Sequence, residues 1–355
     1  MRQFLKRILL RVAKACGLFA FARWRLRGTV AIIAWHGVSI GDEHELFADY
    51  FITPQTLSDR LAFLQQHFHI VSLDEAVRQL QLGQLAPRQV VLTFDDGDVS
   101  FLTQAIPVLQ RWQAPATVYI VSSGLDRRTT ALNMAVRELL LRTTAVHAPG
   151  ELFADQQARP IDTLAQRQQA GDLAVAAMNQ RAEYAERIEF AQRVSTALGI
   201  DWQRLFGDQH WDYMVADEVR RCVDAGYDMQ LHSDLHRTTV EMQDELLDDT
   251  VRCRQQIEAV TGRTAIDYCY PSGLWTRRCW PMLEQAGVRS AVTCRLGPNF
   301  PDTPLLALRR YVDGQSISQL EFEALVSGFS WYVNWWLGRT DRSQPSEAVT
   351  ETGLY

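Results

Sequence analysis

Residues 90–101 read VVLTFDDGDVSF. Val90, Val91 and Leu92 make the apolar run of a buried strand, so Asp95, Asp96 and Gly97 fall where that strand ends and the chain turns. Adjacent carboxylates repel one another. Either a cation stands near them or one of them holds a proton. The flanking segments say what kind of fold carries this turn. TVAIIAWHGVS, from Thr29, is a second short apolar strand and ends at His36. TPQTLSDRLAFLQQHF has a helix start at Thr53 or Thr56, and IVSLDEAVRQLQLG repeats the order strand then helix. The helix SFLTQAIPVLQRWQ and the strand ATVYIV come next. Strands alternating with helices predict an α/β fold with parallel strands.

From 126 to 210 the alternation stops, and segments such as NMAVRELLLRT and AERIEFAQRVSTAL read as a helical insertion, too structured for a loop. Two readings stand for it: a solvated helical face, or a lid at the barrel mouth. The rhythm then resumes. VADEVRRCVDAG is a helix stopped by Gly226, and YDMQLHSDLH is a strand running into two histidines. Further strand and helix units follow at IDYCYPSG with TRRCWPMLEQAG, at SAVTCRLG and at LLALRRYVDG. The domain expected over 28–320 is therefore interrupted once. Residues 321–355 hold an aromatic helix, with Trp331, Tyr332, Trp335 and Trp336, and a polar tail. That aromatic cluster suits core packing or a membrane interface.

The chain has 355 residues, 47% of them apolar, and a formal net charge of −6, a composition of soluble globular proteins. No nucleic-acid partner is expected. The charge is uneven, because Arg2, Lys6, Arg7, Arg11, Lys14, Arg23, Arg25 and Arg27 all precede the first acidic residue, Asp42. Arg11 and Lys14 interrupt any apolar core of a secretory signal, so export is not expected. On a helical wheel Phe4, Leu5, Ile8, Leu9, Val12, Cys16 and Phe19 share one face and the cations occupy the rest. Residues 1–27 thus predict a basic amphipathic helix lying on an anionic membrane, or one packing its apolar side on the protein body. The scattered cysteines, without a C-x-x-C pair, read as reduced thiols of a cytoplasmic protein, peripheral on the inner face of the cytoplasmic membrane if the helix binds lipid.

His232 and His236 are four apart, a spacing that on a helical turn points both imidazoles the same way. With Asp96 they make a two-histidine, one-carboxylate set for a divalent cation, most simply Zn2+, with a position left open for water. All three fall at the C-terminal ends of strands, where barrel sites assemble. The cation would also settle the repulsion in the opening stretch. It neutralises Asp96 and leaves Asp95 ionised as general base beside acidified water. The alternative for Asp95 and Asp96 is a solvated turn.

LTFDDG at 92–97, LHSDLH at 231–236, CYPSG at 269–273 and WHGV at 35–38 together resemble the polysaccharide deacetylase family, the NodB-homology carbohydrate esterases. The resemblance implies a distorted (β/α) barrel of seven or eight strands that removes acetyl groups hydrolytically, with a metal, from an N-acetylated sugar of a polysaccharide, oligosaccharide or lipid-linked precursor. It implies Asp95 as base, and Asp96, His232 and His236 as ligands of zinc or a similar ion. Tyr270, Pro271 and Ser272 would line the sugar groove, with a backbone N–H there for the oxyanion. Two features depart from the family pattern. No histidine follows His236, where many members carry the general acid, so His36 is the candidate acid; a packed, hydrogen-bonded histidine is its alternative. The YPSG stretch lacks the arginine that many members use to hold the base, so Arg310, or more weakly Arg309, is the candidate for that place, against a surface salt bridge. A silent glycan-binding protein and a hydrolase of another amide or ester remain the competing readings.

Overall fold

The computed structural model describes residues 2–181, 183–207, 210–337 and 347. Most of the polar tail foreseen at the C-terminus lies outside them. The main sheet contains β1 (Val30–Trp35), β2 (His69–Ile70), β3 (Gln89–Phe94), β4 (Thr117–Ile120), β5 (Asp228–Leu231), β6 (Asp267–Cys269), β7 (Ser290–Val292) and β8 (Tyr311–Val312). Its order is β7, β6, β5, β4, β3, β1, β8, with β2 beside the first residues of β3, and every pairing is parallel. The chain entering β8 also touches β7: Thr293 N–H donates to Leu308 O at 2.8 Å and Leu308 N–H donates to Ala291 O at 2.9 Å. β8 pairs in turn with β1. The sheet therefore curls into a distorted barrel, as expected.

Strands buried on both faces need no polar alternation, and all six residues of β1 and of β3 are buried. Their period of two still sorts the side chains. Ala31, Ile33, Trp35, Val90, Leu92 and Phe94 join the core between sheet and helices. Val30, Ile32 and Val91 instead meet Tyr119, Cys269 and Val292 from the other strands and Leu308 from the segment entering β8, which is the barrel interior. Continued past the strand ends, the same period carries His36 and Asp95 on the interior side.

The helices have the expected punctuation. Thr53 caps α3 (Pro54–His67) and Ser72 caps α4 (Leu73–Leu82), each accepting the N–H three residues on. Gly83, at φ 63°, closes α4 in the left-handed conformation that glycine takes without strain. Leu73, Ala76, Val77 and Leu80 then form one buried stripe against the interior cluster.

Residues Arg128–Tyr213 form a compact unit of their own. Its longer helices are Leu132–Arg142, Leu164–Asn179 and Tyr184–Ala197. Glu138 is fully buried there and accepts from His210 Nε2 at 2.9 Å, Trp211 Nε1 at 2.5 Å and Arg142 Nε at 2.5 Å. Burial raises the Glu138 pKa, but these donors outweigh it and hold the group below its ordinary value.

The N-terminal segment is two helices rather than one. α1 (Arg2–Ala15) and α2 (Leu18–Arg25) are separated at Gly17, which has φ 74°. Phe19 consequently leaves the apolar face of α1 and is buried. α1 does pack on the body, but not through its apolar side. It uses Leu10 and Ala13, against Ala324 and Leu320 of α6 (Gln319–Val326; numbered after α5, Leu246–Thr261). Lys6 and Lys14 reach Glu321 and Glu323 of α6 at 2.7 and 2.5 Å and fix that orientation. The chain ends its described helices with α7 (Phe329–Trp336). No described helix is long and apolar enough to cross a membrane.

Candidate active site

At the C-terminal ends of β1, β3, β5 and β6 the polar residues singled out in the sequence come together. Asp96 takes φ 71° in the turn after β3, a conformation Asp tolerates better than most residues. Its Oδ1 lies 3.0 Å from His232 Nε2 and 3.2 Å from His236 Nε2. That oxygen is buried, yet the angles give it no hydrogen bond to either ring. His232 Nδ1 lies 2.9 Å from the carbonyl of Cys269. A carbonyl only accepts, so Nδ1 carries the proton and the Nε2 lone pair faces Asp96. Asp96 Oδ1 and the Nε2 atoms of His232 and His236 thus converge on one point, a group able to hold a divalent metal.

The two histidines do not ride on a helical turn. Residues 232–236 are an irregular loop in which Ser233 has φ 69° and His236 has φ 53°, and these two reversals bring the rings to 4.9 Å between centroids. The loop is held by groups that pattern reading overlooked. Ser122 Oγ–H donates to Asp234 Oδ1 at 2.9 Å, and Asp234 N–H donates to the Asp249 carboxylate of α5 at 3.1 Å. Ser123 N–H donates to Asp234 O at 3.0 Å. Asp249 lies 15 positions beyond Asp234, on α5, and nothing in its neighbourhood marks it out.

Asp95 faces Arg310, and its carboxylate also lies within 4.8 Å of ligand atoms of His232 and Cys269. Arg310 Nη1 and Nη2 donate to Asp95 Oδ1 and Oδ2 at 2.6 and 2.7 Å, a two-pronged pair with both residues buried. The guanidinium is itself braced by Thr293 O at 3.0 Å and Thr93 Oγ1 at 3.3 Å. It is therefore no surface salt bridge; the backbone N–H of Arg309 donates to Asn299 Oδ1, and the side-chain contacts of Asp95 are to Arg310 and His36. Burial pushes the Asp95 pKa up, and the Arg310 charge and hydrogen bonds more than offset this, so the carboxyl ends below its ordinary value. His36 Nε2 stands 3.9 Å from Asp95 Oδ2, and Tyr50 packs against its ring at 5.0 Å between centroids. Burial lowers the His36 pKa against the opposing pull of Asp96 and Asp95, so the ring is neutral near pH 7.

The groove assignment needs correcting. Tyr270 is buried, with its hydroxyl donating to Leu306 O at 2.9 Å and its ring stacked on Trp275. Pro271 is buried as well, so both side chains belong to the core that supports the loop. Ser272 is half-buried and takes φ 55°. The N–H of Tyr270 donates to Val292 O and that of Gly273 to Tyr270 O, and proline has none. Among the described residues, Ser272 N–H makes no backbone hydrogen bond outside its own turn.

At the C-terminal ends of the barrel strands, the Asp-His-His group thus stands beside an aspartate clamped by an arginine. Residues 83–148 and 191–291 match the family described as polysaccharide deacetylase. A stretch of 114 residues is 37% identical to the poly-beta-1,6-N-acetyl-D-glucosamine N-deacetylase of Escherichia coli strain K12, covering 31% of this chain and 16% of that protein. The protein of the same name from Staphylococcus epidermidis is 28% identical over 78 residues, covering 22% of this chain and 27% of that one. The chain thus matches only a small part of either relative. Among solved structures, the Streptococcus pyogenes deacetylase PplD in complex with acetate superposes with a TM-score of 0.56 at 14% identity, over 84% of this chain and 99% of that one. IcaB from Ammonifex degensii gives 0.53 at 16% identity, over 84% and 97%. At these identities the superpositions speak to the fold.

Proposed function

We propose that the protein hydrolyses the N-acetyl amide of an amino sugar within a glycan, releasing acetate and leaving a free amine. The observation that carries this reading is the convergence of Asp96 Oδ1, His232 Nε2 and His236 Nε2 beside an aspartate that Arg310 holds ionised. The names of the relatives favour a polymer of N-acetylglucosamine as substrate.

A divalent cation held by Asp96, His232 and His236, most simply Zn2+, supplies Lewis acidity for the acetyl carbonyl and lowers the pKa of water. Asp95 takes the proton of the attacking water. Ser272 N–H is placed to stabilise the oxyanion, a role in which one backbone donor is typically worth about 10²–10³ in rate. The C–N bond then breaks, and the departing nitrogen needs a proton. His36 is neutral at rest, so it serves as acid only with a proton handed on from Asp95, its neighbour at 3.9 Å.

Purified protein incubated with N-acetylated glucosamine oligomers is expected to release acetate, to stop after dialysis against a chelator, and to resume when zinc is returned. Oligomers that bind without any acetate appearing, with every divalent metal tried, would overturn the hydrolase reading in favour of a silent glycan-binding barrel. His36→Ala is expected to lower turnover by about 10²-fold, as loss of a general acid does, with bound metal unchanged. Turnover close to that of the parent removes His36 from the proton path.

The same reading places the protein in the cytoplasm, peripheral on the inner face of the membrane, with residues 1–27 in contact with anionic lipid. The exposed apolar side of α1 supports it.

A further inference from the structure

The membrane contact proposed for residues 1–27 can be taken further, because α1 does not stand alone. Its inward side is occupied by Leu10, Ala13 and the two lysine pairs, so its apolar side faces outward: Phe4 is 68% exposed and Leu9 68%, with Leu5, Ile8 and Val12 between them. α2 packs on α7 through Phe19 against Phe329 at 5.1 Å and Phe21 against Tyr332 at 6.3 Å. Phe21 and Trp24 of α2 remain largely exposed, and so do Trp335 and Trp336 of α7, the latter at 76%. Trp331, beneath them, lies parallel to Trp335 and lines a cleft of about 220 Å³ with Arg25, Thr29, Phe300 and Tyr332. Among the described residues the buried Trp331 indole N–H has no acceptor.

We infer that α1, α2 and α7 form one composite face that seats the protein on an anionic bilayer, with the α7 tryptophans as essential to it as the N-terminal helix. The inference rests on the membrane reading above and assigns part of the contact to the opposite end of the chain. Three observations select lipid as the occupant. Large apolar side chains stand exposed on three adjoining helices, Phe4, Leu5 and Leu9 of α1, Phe21 and Trp24 of α2, and Trp335 and Trp336 of α7. Exposed Arg7, Arg11, Arg25 and Arg27 border them, while α1, α2 and α7 contain no acidic residue. Tryptophan with arginine is the composition of the bilayer interface, where the ring sits at headgroup level and the guanidinium meets phosphate. A second copy of the chain fits less well, since a two-fold contact through this face would press arginines on arginines.

The face has a direction. The α2 and α7 cleft is lined by Gly28 and Thr29, immediately before β1, whereas His36 follows β1 at its other end. Six strand residues span about 20 Å, so a protein seated on this part of the face turns its catalytic end away from the lipid. Sugars held clear of the headgroups come within reach.

The test is flotation of the full chain with vesicles of phosphatidylcholine alone and with an equal part of phosphatidylglycerol, beside Trp335→Ser/Trp336→Ser and Phe4→Ser/Leu9→Ser variants. The parent is expected to float with the anionic vesicles and not with the neutral ones, and each double variant to bind on the order of tenfold more weakly. Circular dichroism and acetate release are read in parallel, since these surface positions lie far from the site and both should match the parent. If the tryptophan variant binds as the parent does while the Phe4 and Leu9 variant does not, the composite face is wrong and the N-terminal reading survives. Both readings fall if neither variant loses binding, or if the parent ignores anionic vesicles. A stable dimer in sedimentation that the Trp335→Ser/Trp336→Ser change dissolves would assign the face to a second copy and overturn the inference.

Discussion

Asp95→Asn is expected to lower acetate release by about 10²–10⁴-fold while the protein still binds its metal. The amide has the size of the carboxylate but cannot take the proton of the attacking water. It also lies outside the cradle, because Asp95 faces Arg310 and only Asp96 faces the two imidazoles. Metal content, measured by mass spectrometry, should therefore stay at the level of the parent, whereas Asp96→Asn should lose both metal and activity. Residual turnover of Asp95→Asn within tenfold of the parent would exclude Asp95 as the base. The substitution leaves a buried guanidinium without its anion, so a fall in thermal stability accompanies the loss of rate.

Arg310→Met is expected to destabilise the fold by about 3–5 kcal/mol, the usual cost of breaking a buried ion pair from one side. Methionine fills the space and supplies no charge. Asp95, at 3% exposure, is then left with burial as the dominant influence on its pKa, and burial acts upward. The sign for activity follows. In the parent the Asp95 pKa lies below its ordinary value, so the base stays ionised until the pH falls well into the acid range. In Arg310→Met the acid limb of kcat/KM moves to higher pH, and turnover at neutral pH drops with it. Arg310→Lys keeps the charge but cannot donate to both oxygens at once, so it should restore part of the stability and leave the limb between the two. A melting temperature and acid limb unchanged in Arg310→Met would show that the clamp does nothing for Asp95.

How much of this could be read in the sequence varies from residue to residue. The strand into Asp95 and Asp96 was legible because a fully buried parallel strand is an unbroken apolar run, and a charge can only sit where it ends. His232 and His236 were legible as a pair, for the wrong reason. Spacing of four suggested a helical turn, while the chain brings the rings together through two positive φ angles in a loop, which no periodicity encodes. Tyr270 lies in a motif that drew attention to all of its residues, but stacking on Trp275 and a bond to Leu306 O turn it inward. Asp249 and Ser122, which hold the histidine loop, carry no local pattern at all.

The amino-acid order alone determined that strands and helices alternate, that one helical segment interrupts them, and that two acids and two histidines stand at strand ends. Those features follow from local rules, the period of apolar residues and the residues that cap or break an element. The pairing of Asp96 with the histidines and of Asp95 with Arg310 is already expected from the motifs and the family resemblance, but tertiary structure alone makes the contacts. Asp95 and Arg310 are separated by 215 positions, and their contact exists only because the segment leading into β8 lies between β7 and β1 and the two-residue pleat sends both side chains inward. It likewise decided that α1 keeps its apolar side outward, since two glutamates on α6 claim the lysines of the opposite side.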